Sequence, residues 1–278
     1  MTRTVALNDG HVMPLLGLGV MQIPDEKVPQ AMREATELGY RLFDTAPVYR
    51  NEPGTGRGVK ECGLPREDVF VTTKLWNGRQ GYDEALRAFD ESIEALGLEY
   101  LDLYLIHWPC PAKNLYVDSW KALIRLREEG RVRSIGVSNF LAPHLERIVA
   151  ETGVVPAVNQ IEFHPAWQQR EAVAAGNKHK VVSEAWSPLA RGATLSDPKV
   201  IDAAAKTGCT AAQLVLRWMT QTGIAVIPKA SSKAHMQENF DSFDLTLDAA
   251  TIAMMNAMDN PNGRFGPDPN VFEKIPGR

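Results

Sequence analysis

Eight short β-rich runs alternate with segments of helical periodicity along this 278-residue chain, and that alternation constrains the fold more than any other feature. The runs are LLGLGV (15–20), YRLFDTA (40–46), VFVTTKL (69–75), LDLYLIHW (101–108), VRSIGVSN (132–139), PAVNQIEF (156–163), VVSEAWSPL (181–189) and IAVIPKA (224–230). Between them, YDEALRAFDESIEALG, VDSWKALIRLREEG, LAPHLERIVAETG and AAQLVLRWMTQTG carry apolar residues at helical spacing, and each closes on a glycine, as a helix C-cap prefers. Strands separated by such helices pair in parallel through βαβ units. Several runs are apolar nearly throughout, which suits strands covered on both faces. Eight units predict a closed (β/α)8 barrel, with an open doubly wound sheet as the competing arrangement. VALNDGHVM, ahead of the first unit, reads as a hairpin turning at Asp9-Gly10. With 44% hydrophobic content and no linker or low-complexity segment, one domain over residues 1–278 is expected.

The signatures of an open nucleotide-binding sheet are weak. GTGRG at 54–58 is glycine-rich but follows no strand, and neither GxxxxGK[ST] nor YxxxK is present. Net charge is −4, so no global basic field draws the chain to nucleic acid or an anionic membrane. No apolar run approaches the roughly 20 residues of a membrane span. MTRTVALNDG has no signal-peptide core, and Cys62, Cys110 and Cys209 are far apart with no CxxC pair. Reduced thiols, a cytoplasmic location and no metal site are expected.

In a (β/α)8 barrel, chemistry gathers at the C-terminal ends of the strands. The second run ends at Asp44, with Tyr49 in the next loop; the third ends at Lys74, before Leu75-Trp76-Asn77; the fourth ends at His107-Trp108-Pro109. Singly, each has a structural explanation: a turn aspartate, a solvated lysine, a packed histidine. Together they face one mouth and fit one task. A phenol is too weak an acid at neutrality. A neighbouring ammonium stabilises the phenolate, an aspartate behind it keeps the ammonium charged, and a histidine adds a donor aimed at the same oxygen. That is an acid suited to protonating a carbonyl oxygen while hydride reaches its carbon.

The motifs GYRLFDTA, TTKLWN, LDLYLIHWP, RSIGVSNF, PAVNQIEFHP and WSPLAR, in this order, make the chain resemble the aldo-keto reductases, and among them the bacterial 2,5-diketo-D-gluconate reductase branch. The resemblance runs essentially end to end, and NPNGRFGPDP is similar to the family's C-terminal tail near the active-site mouth. It implies an NADPH-dependent carbonyl reductase, usually a monomer, acting on small aldehydes, ketoses or keto acids, with 2,5-diketo-D-gluconate-like or methylglyoxal-like substrates. Tyr49 would be the proton donor, Lys74 and Asp44 its tuners, and His107 would orient the substrate carbonyl. Ser138, Asn139 and Gln160 would hold the nicotinamide carboxamide, Trp186 would stack on the ring, and Ser187 and Leu189 would lie near the pyrophosphate. Met21, Trp76 and Trp108 would line the substrate pocket. IPKASSKAHMQEN (227–239) corresponds to the 2′-phosphate loop, with Lys229, Ser231, His235, Glu238 and Asn239 as candidates. Here the chain departs from the family: Ala230 stands where serine is usual, and His235 where many members carry an always-charged arginine. The departure predicts that NADH is accepted beside NADPH.

Two other functions fit parts of the pattern. Lys74 could form a Schiff base, as barrel aldolases do, and trapping with borohydride separates that case. A barrel that binds nucleotide to regulate a partner needs no tetrad, and NADPH oxidation with a panel of carbonyls separates it.

Overall fold

The computed structural model describes residues 3–230 and 232–273. An antiparallel hairpin comes first, β1 (Thr4–Ala6) with β2 (Val12–Pro14), in register Thr4 to Pro14 and Ala6 to Val12. Eight parallel strands follow: β3 (Gly17–Gly19), β4 (Leu42–Asp44), β5 (Phe70–Leu75), β6 (Leu101–Ile106), β7 (Val132–Ser138), β8 (Val158–Glu162), β9 (Val182–Trp186) and β10 (Ala225–Val226). Each pairs with its neighbours in sequence, in the order β3 to β10. The ring is completed where Leu16 bridges Val226 in parallel and the Val226 N–H donates to the Leu15 carbonyl at 2.8 Å. The barrel expected from the eight runs is the fold.

Ten helices lie among the described residues: α1 (Val28–Leu38), α2 (Glu52–Glu61), α3 (Tyr82–Leu96), α4 (Tyr116–Glu128), α5 (Ala142–Thr152), α6 (Arg170–Lys178), α7 (Pro198–Thr207), α8 (Ala211–Gln221), α9 (Lys233–Asp241) and α10 (Ala249–Asn256). α3 and α5 end on Gly97 and Gly153 at φ 60° and 72°, the left-handed region that closes a helix without a Cβ penalty. α4 and α8 stop a residue sooner, capped by Glu129 and Thr222, and Gly130 and Gly223 take the left-handed turn just beyond. The last run shrinks to the two residues of β10 because Pro228 has no N–H to extend the ladder.

The GTGRG cluster is part of α2 and serves packing. A Cβ at Gly54 would lie 2.1 Å from the Asp25 carbonyl oxygen, one at Gly56 would lie 1.7 Å from that of Leu96, and one at Gly58 would lie 2.3 Å from the Met32 sulfur. The glycines let α2 approach the Asp25 turn, α1 and the end of α3 more closely than any side chain would allow. The hairpin is tied to the N-terminal end of the barrel by Asn8, whose amide donates to the Pro156 carbonyl just before β8. The opposite end is left to the strand-end side chains.

Candidate active site

The second run delivers Asp44 as the last residue of β4, and β5 carries Lys74 one position from its end. Lys74 is fully buried. Its ammonium donates to Asp44 Oδ1 at 2.6 Å, to the Thr45 carbonyl at 3.0 Å and to the Tyr49 hydroxyl at 3.4 Å. Tyr49 sits in a 3-10 turn over Pro47–Tyr49, which ends with Arg50 at φ 59°. Asn51, just after, is fully buried and satisfied. Its amide donates to the carbonyls of Val20 and Ile23 at 2.8 and 3.0 Å, and it accepts from Thr45 Oγ1 at 2.8 Å. One side chain thus locks the turn bearing Tyr49 to the β3–α1 loop bearing Met21 and Gln22.

The charges settle the protonation states. Burial, the largest effect, works against the Lys74 cation, but Asp44 and Tyr49 together outweigh it and hold its pKa above the ordinary value. Burial likewise raises the Tyr49 phenol, and the lowering influence of Lys74 only partly offsets it. The expected net drop in the phenol's pKa is therefore not present in this form of the site. Burial and then Lys74 push His107 well below the ordinary imidazole value, so the ring is neutral and has one N–H to give. Its ring stands edge-on to Tyr49, with centroids 6.0 Å apart, and edge-on to Trp76 at 5.0 Å.

Beside this group, Asn139 is a second junction, held in the left-handed region at φ 62°. Its amide donates to the His107 carbonyl at 2.9 Å and to Ser138 Oγ at 3.0 Å, and its oxygen accepts from the Trp186 indole at 2.8 Å. Ser138 Oγ donates to the Gln160 carbonyl at 2.8 Å. The half-buried Trp186 ring is fixed by that indole bond.

A cleft of about 910 Å³ opens over these residues. Among the expected site residues it is lined by Met21, Asp44, Tyr49, Trp76, His107, Trp108, Ser138, Asn139, Gln160, Trp186, Ser187, Leu189 and Lys229, with Lys74 directly beneath. His235, Glu238 and Asn239 lie apart from this lining on α9. His235 is exposed in the first turn, its backbone N–H donating to Ser232 Oγ at 3.3 Å. Ser231 lies outside the described residues.

The cleft also has walls that the sequence did not single out. Gln22 accepts from Lys229 Nζ at 3.3 Å, and Arg191 joins Lys229 as a second cation in the lining. The tail after α10 returns over the mouth. The N–H groups of Phe265 and Gly266 donate to the two oxygens of Glu162, at 2.7 and 2.8 Å. Burial opposes the Glu162 charge, but a bond from His164 and these two N–H groups win, and its carboxyl is held below the ordinary value. The tail so anchored brings Pro267 and Phe272 into the cleft, the Phe272 ring resting 4.4 Å from that of Trp108. Glu162 lies inside the sixth run, PAVNQIEF, and nothing local to it announces a partner in the tail.

A closed barrel with Asp44, Tyr49, Lys74 and His107 gathered at its strand ends matches one family: the chain belongs to the aldo/keto reductase family, whose sequence pattern matches residues 15–260. It is 48% identical over 272 residues, 98% of either chain, to an aldo-keto reductase of Mycolicibacterium smegmatis. It is 47% identical over 270 residues to the methylglyoxal reductase DkgA of Escherichia coli, covering 96% of this chain and 97% of that one. The crystal structure of a Gox0644 mutant in complex with NADPH superposes with a TM-score of 0.94 at 47% identity, covering 98% of this chain and 99% of the other. Among the described residues no helix is long and apolar enough to cross a membrane, and no cluster of His, Cys, Asp and Glu could hold a metal ion.

Proposed function

We propose that this aldo-keto reductase reduces small aldehydes, ketoses or keto acids, with Tyr49 as the proton donor and NADPH as coenzyme. The observation that carries the reading is the Lys74 ammonium standing between Asp44 at 2.6 Å and the Tyr49 hydroxyl at 3.4 Å, under a cleft shared with a neutral His107. The lining fits a nicotinamide dinucleotide phosphate. Lys229 and Arg191 suit phosphate oxygens, amide and hydroxyl groups at Ser138, Asn139 and Gln160 suit a carboxamide, and the fixed Trp186 ring suits stacking on a flat heterocycle. Ser187 and Leu189 would flank the pyrophosphate. Lys229, with Ser231, His235, Glu238 and Asn239 around the start of α9, would meet the 2′-phosphate, and the helix N-terminus adds donors there. With histidine in place of arginine at 235, NADH is accepted as well.

When bound, the coenzyme supplies a hydride to the carbonyl carbon. Tyr49 gives its hydroxyl proton to the carbonyl oxygen, so hydride and proton together complete an alcohol. Lys74 stabilises the phenolate left behind, and Asp44 keeps Lys74 cationic throughout. The neutral His107 donates its single N–H to the same oxygen and aligns it. Met21, Trp76 and Trp108 offer an apolar wall for the body of the substrate. The relationship to methylglyoxal reductase DkgA supports a small dicarbonyl, and the 2,5-diketo-D-gluconate-like resemblance supports a keto sugar acid. A Schiff-base role for Lys74 is disfavoured, because its pKa is raised and a protonated amine is no nucleophile.

The test is Tyr49→Phe. Loss of a general acid lowers kcat by roughly 10²–10⁴-fold, while the Kd of NADPH should stay within about twofold. Near-normal turnover of methylglyoxal or an aromatic aldehyde by this variant would remove Tyr49 from its role.

A further inference from the structure

A second carboxylate lies beneath the tetrad with no part in the chemistry above. Glu184 is fully buried on β9 and pairs in register with Gln160 on β8. Its Oε2 accepts from Gln160 Nε2 at 2.7 Å, while Oε1 has no hydrogen-bond partner among the described residues. The same Gln160 nitrogen donates to Asp44 Oδ2 at 2.9 Å. The barrel floor thus holds two carboxylates and one ammonium, Lys74. An apolar side chain would occupy the position on β9 without that conflict.

The amide of Gln160 resolves why an acceptor is there. A primary amide has two N–H hydrogens and one carbonyl oxygen. Asp44 takes one hydrogen from the β4 side and Glu184 takes the other from the β9 side. Two acceptors on different strands fix both the plane of the amide and which end faces down. The carbonyl Oε1 is then the only polar atom Gln160 has left for the cleft it lines. With Asp44 alone, the amide could turn about its one remaining bond and present an N–H to the cleft. An unsatisfied buried donor would favour that turn.

We propose that Glu184 is a positioning residue for the coenzyme: by taking the second hydrogen of the Gln160 amide, it fixes the amide carbonyl as the acceptor for the N–H of the nicotinamide carboxamide. This rests on the reading of the cleft as an NADPH site. The experiment compares NADPH with its reduced 3-acetylpyridine analogue, in which a methyl ketone replaces the carboxamide and no N–H remains. Calorimetric Kd values are measured for both in the wild type, Glu184→Leu and Glu184→Gln. The wild type should hold NADPH several-fold to about tenfold more tightly than the analogue, the worth of one hydrogen bond. Glu184→Leu fills similar space but cannot accept, so the discrimination should fall below about twofold while the analogue's Kd barely moves. A general packing defect would weaken both ligands together. Glu184→Gln keeps an acceptor oxygen and should restore the discrimination. The inference is overturned if Glu184→Leu discriminates as the wild type does, or if Glu184→Gln loses discrimination as Leu does. It is also overturned, with no variant needed, if the wild type binds both ligands alike. A wild type that binds neither ligand would instead reject the NADPH reading itself.

Discussion

Glu184 also makes a prediction about stability. Burial and the Asp44 charge push its carboxyl up to about 7, against the opposing pull of the Gln160 amide and Lys74, while a free glutamate titrates at 4.5. The folded protein therefore binds this proton more tightly than the unfolded chain. The group's contribution is full below the unfolded value and is lost as pH rises toward and through 7. Glu184→Gln removes the ionisation and keeps the shape. Between pH 5 and pH 8 the wild type should lose about 2.5 kcal/mol that the variant does not, taking about 1.4 kcal/mol per pKa unit. For a chain of this size that moves the gap between the two thermal midpoints by roughly 5–10 °C. The assay is thermal unfolding of both proteins at pH 5, 6, 7 and 8 at one ionic strength, read as the difference in midpoint relative to pH 5. Every group the two proteins share cancels to first order. Midpoints that run parallel from pH 5 to pH 8 would refute the reasoning, because Glu184 would then titrate alike in the folded and unfolded chains.

Three further outcomes are expected. Lys74→Met leaves Asp44 and Glu184 buried without a cation, so it should destabilise the fold by roughly 3–5 kcal/mol, change the pH profile and cut turnover at least as far as Tyr49→Phe; a variant with wild-type turnover and profile would show that Lys74 does not tune the phenol. NADPH should quench tryptophan fluorescence, and Trp186→Phe should remove much of the quench; an undiminished signal would assign stacking to another ring. His235→Arg should tighten NADPH by about tenfold through a charge-assisted bond with little change for NADH; coenzyme Kd values that ignore the substitution would leave the 2′-phosphate to Lys229.

The parts of this protein that were legible in its sequence are those encoded locally. Each strand–helix unit carries its own periodicity, so eight units announce a barrel before any contact is known. Asp44, Lys74 and His107 were legible because a polar side chain ending an apolar run has few places to go in such a fold. The rest depends on register and depth. Glu184 sits in plain view in VVSEAWSPL, an acid inside an apolar run. Only the pairing of β8 with β9 brings it to Gln160, and only closure of the barrel brings that amide to Asp44 on β4. The Tyr49 phenol shows the same limit in energetic form: its neighbours suggested a lowered pKa, but how deeply the hydroxyl is covered outweighs who stands beside it. GTGRG follows no strand, which argued against a phosphate loop, but its spacing does not say that one of its glycines makes room for the backbone of Leu96.

The grip on the tail has a consequence for how such an enzyme can change over generations. Glu162 holds residues 265 and 266 by main-chain N–H groups, which every amino acid except proline can supply. These two bonds are therefore indifferent to most of the side chains the tail carries, while two of those, Pro267 and Phe272, form part of the cleft wall. Mutation can redraw the wall without unfastening it. The exceptions are Gly263, where a Cβ would lie 1.8 Å from the Ala166 carbonyl oxygen, and Gly266, where one would come within 2.6 Å of the Trp186 ring and 2.7 Å of a Glu162 oxygen. A substitution at 267 or 272 changes the cleft wall while the main-chain bonds at 265 and 266 stay in place, and the glycine at 266 lets the chain pass close over Trp186.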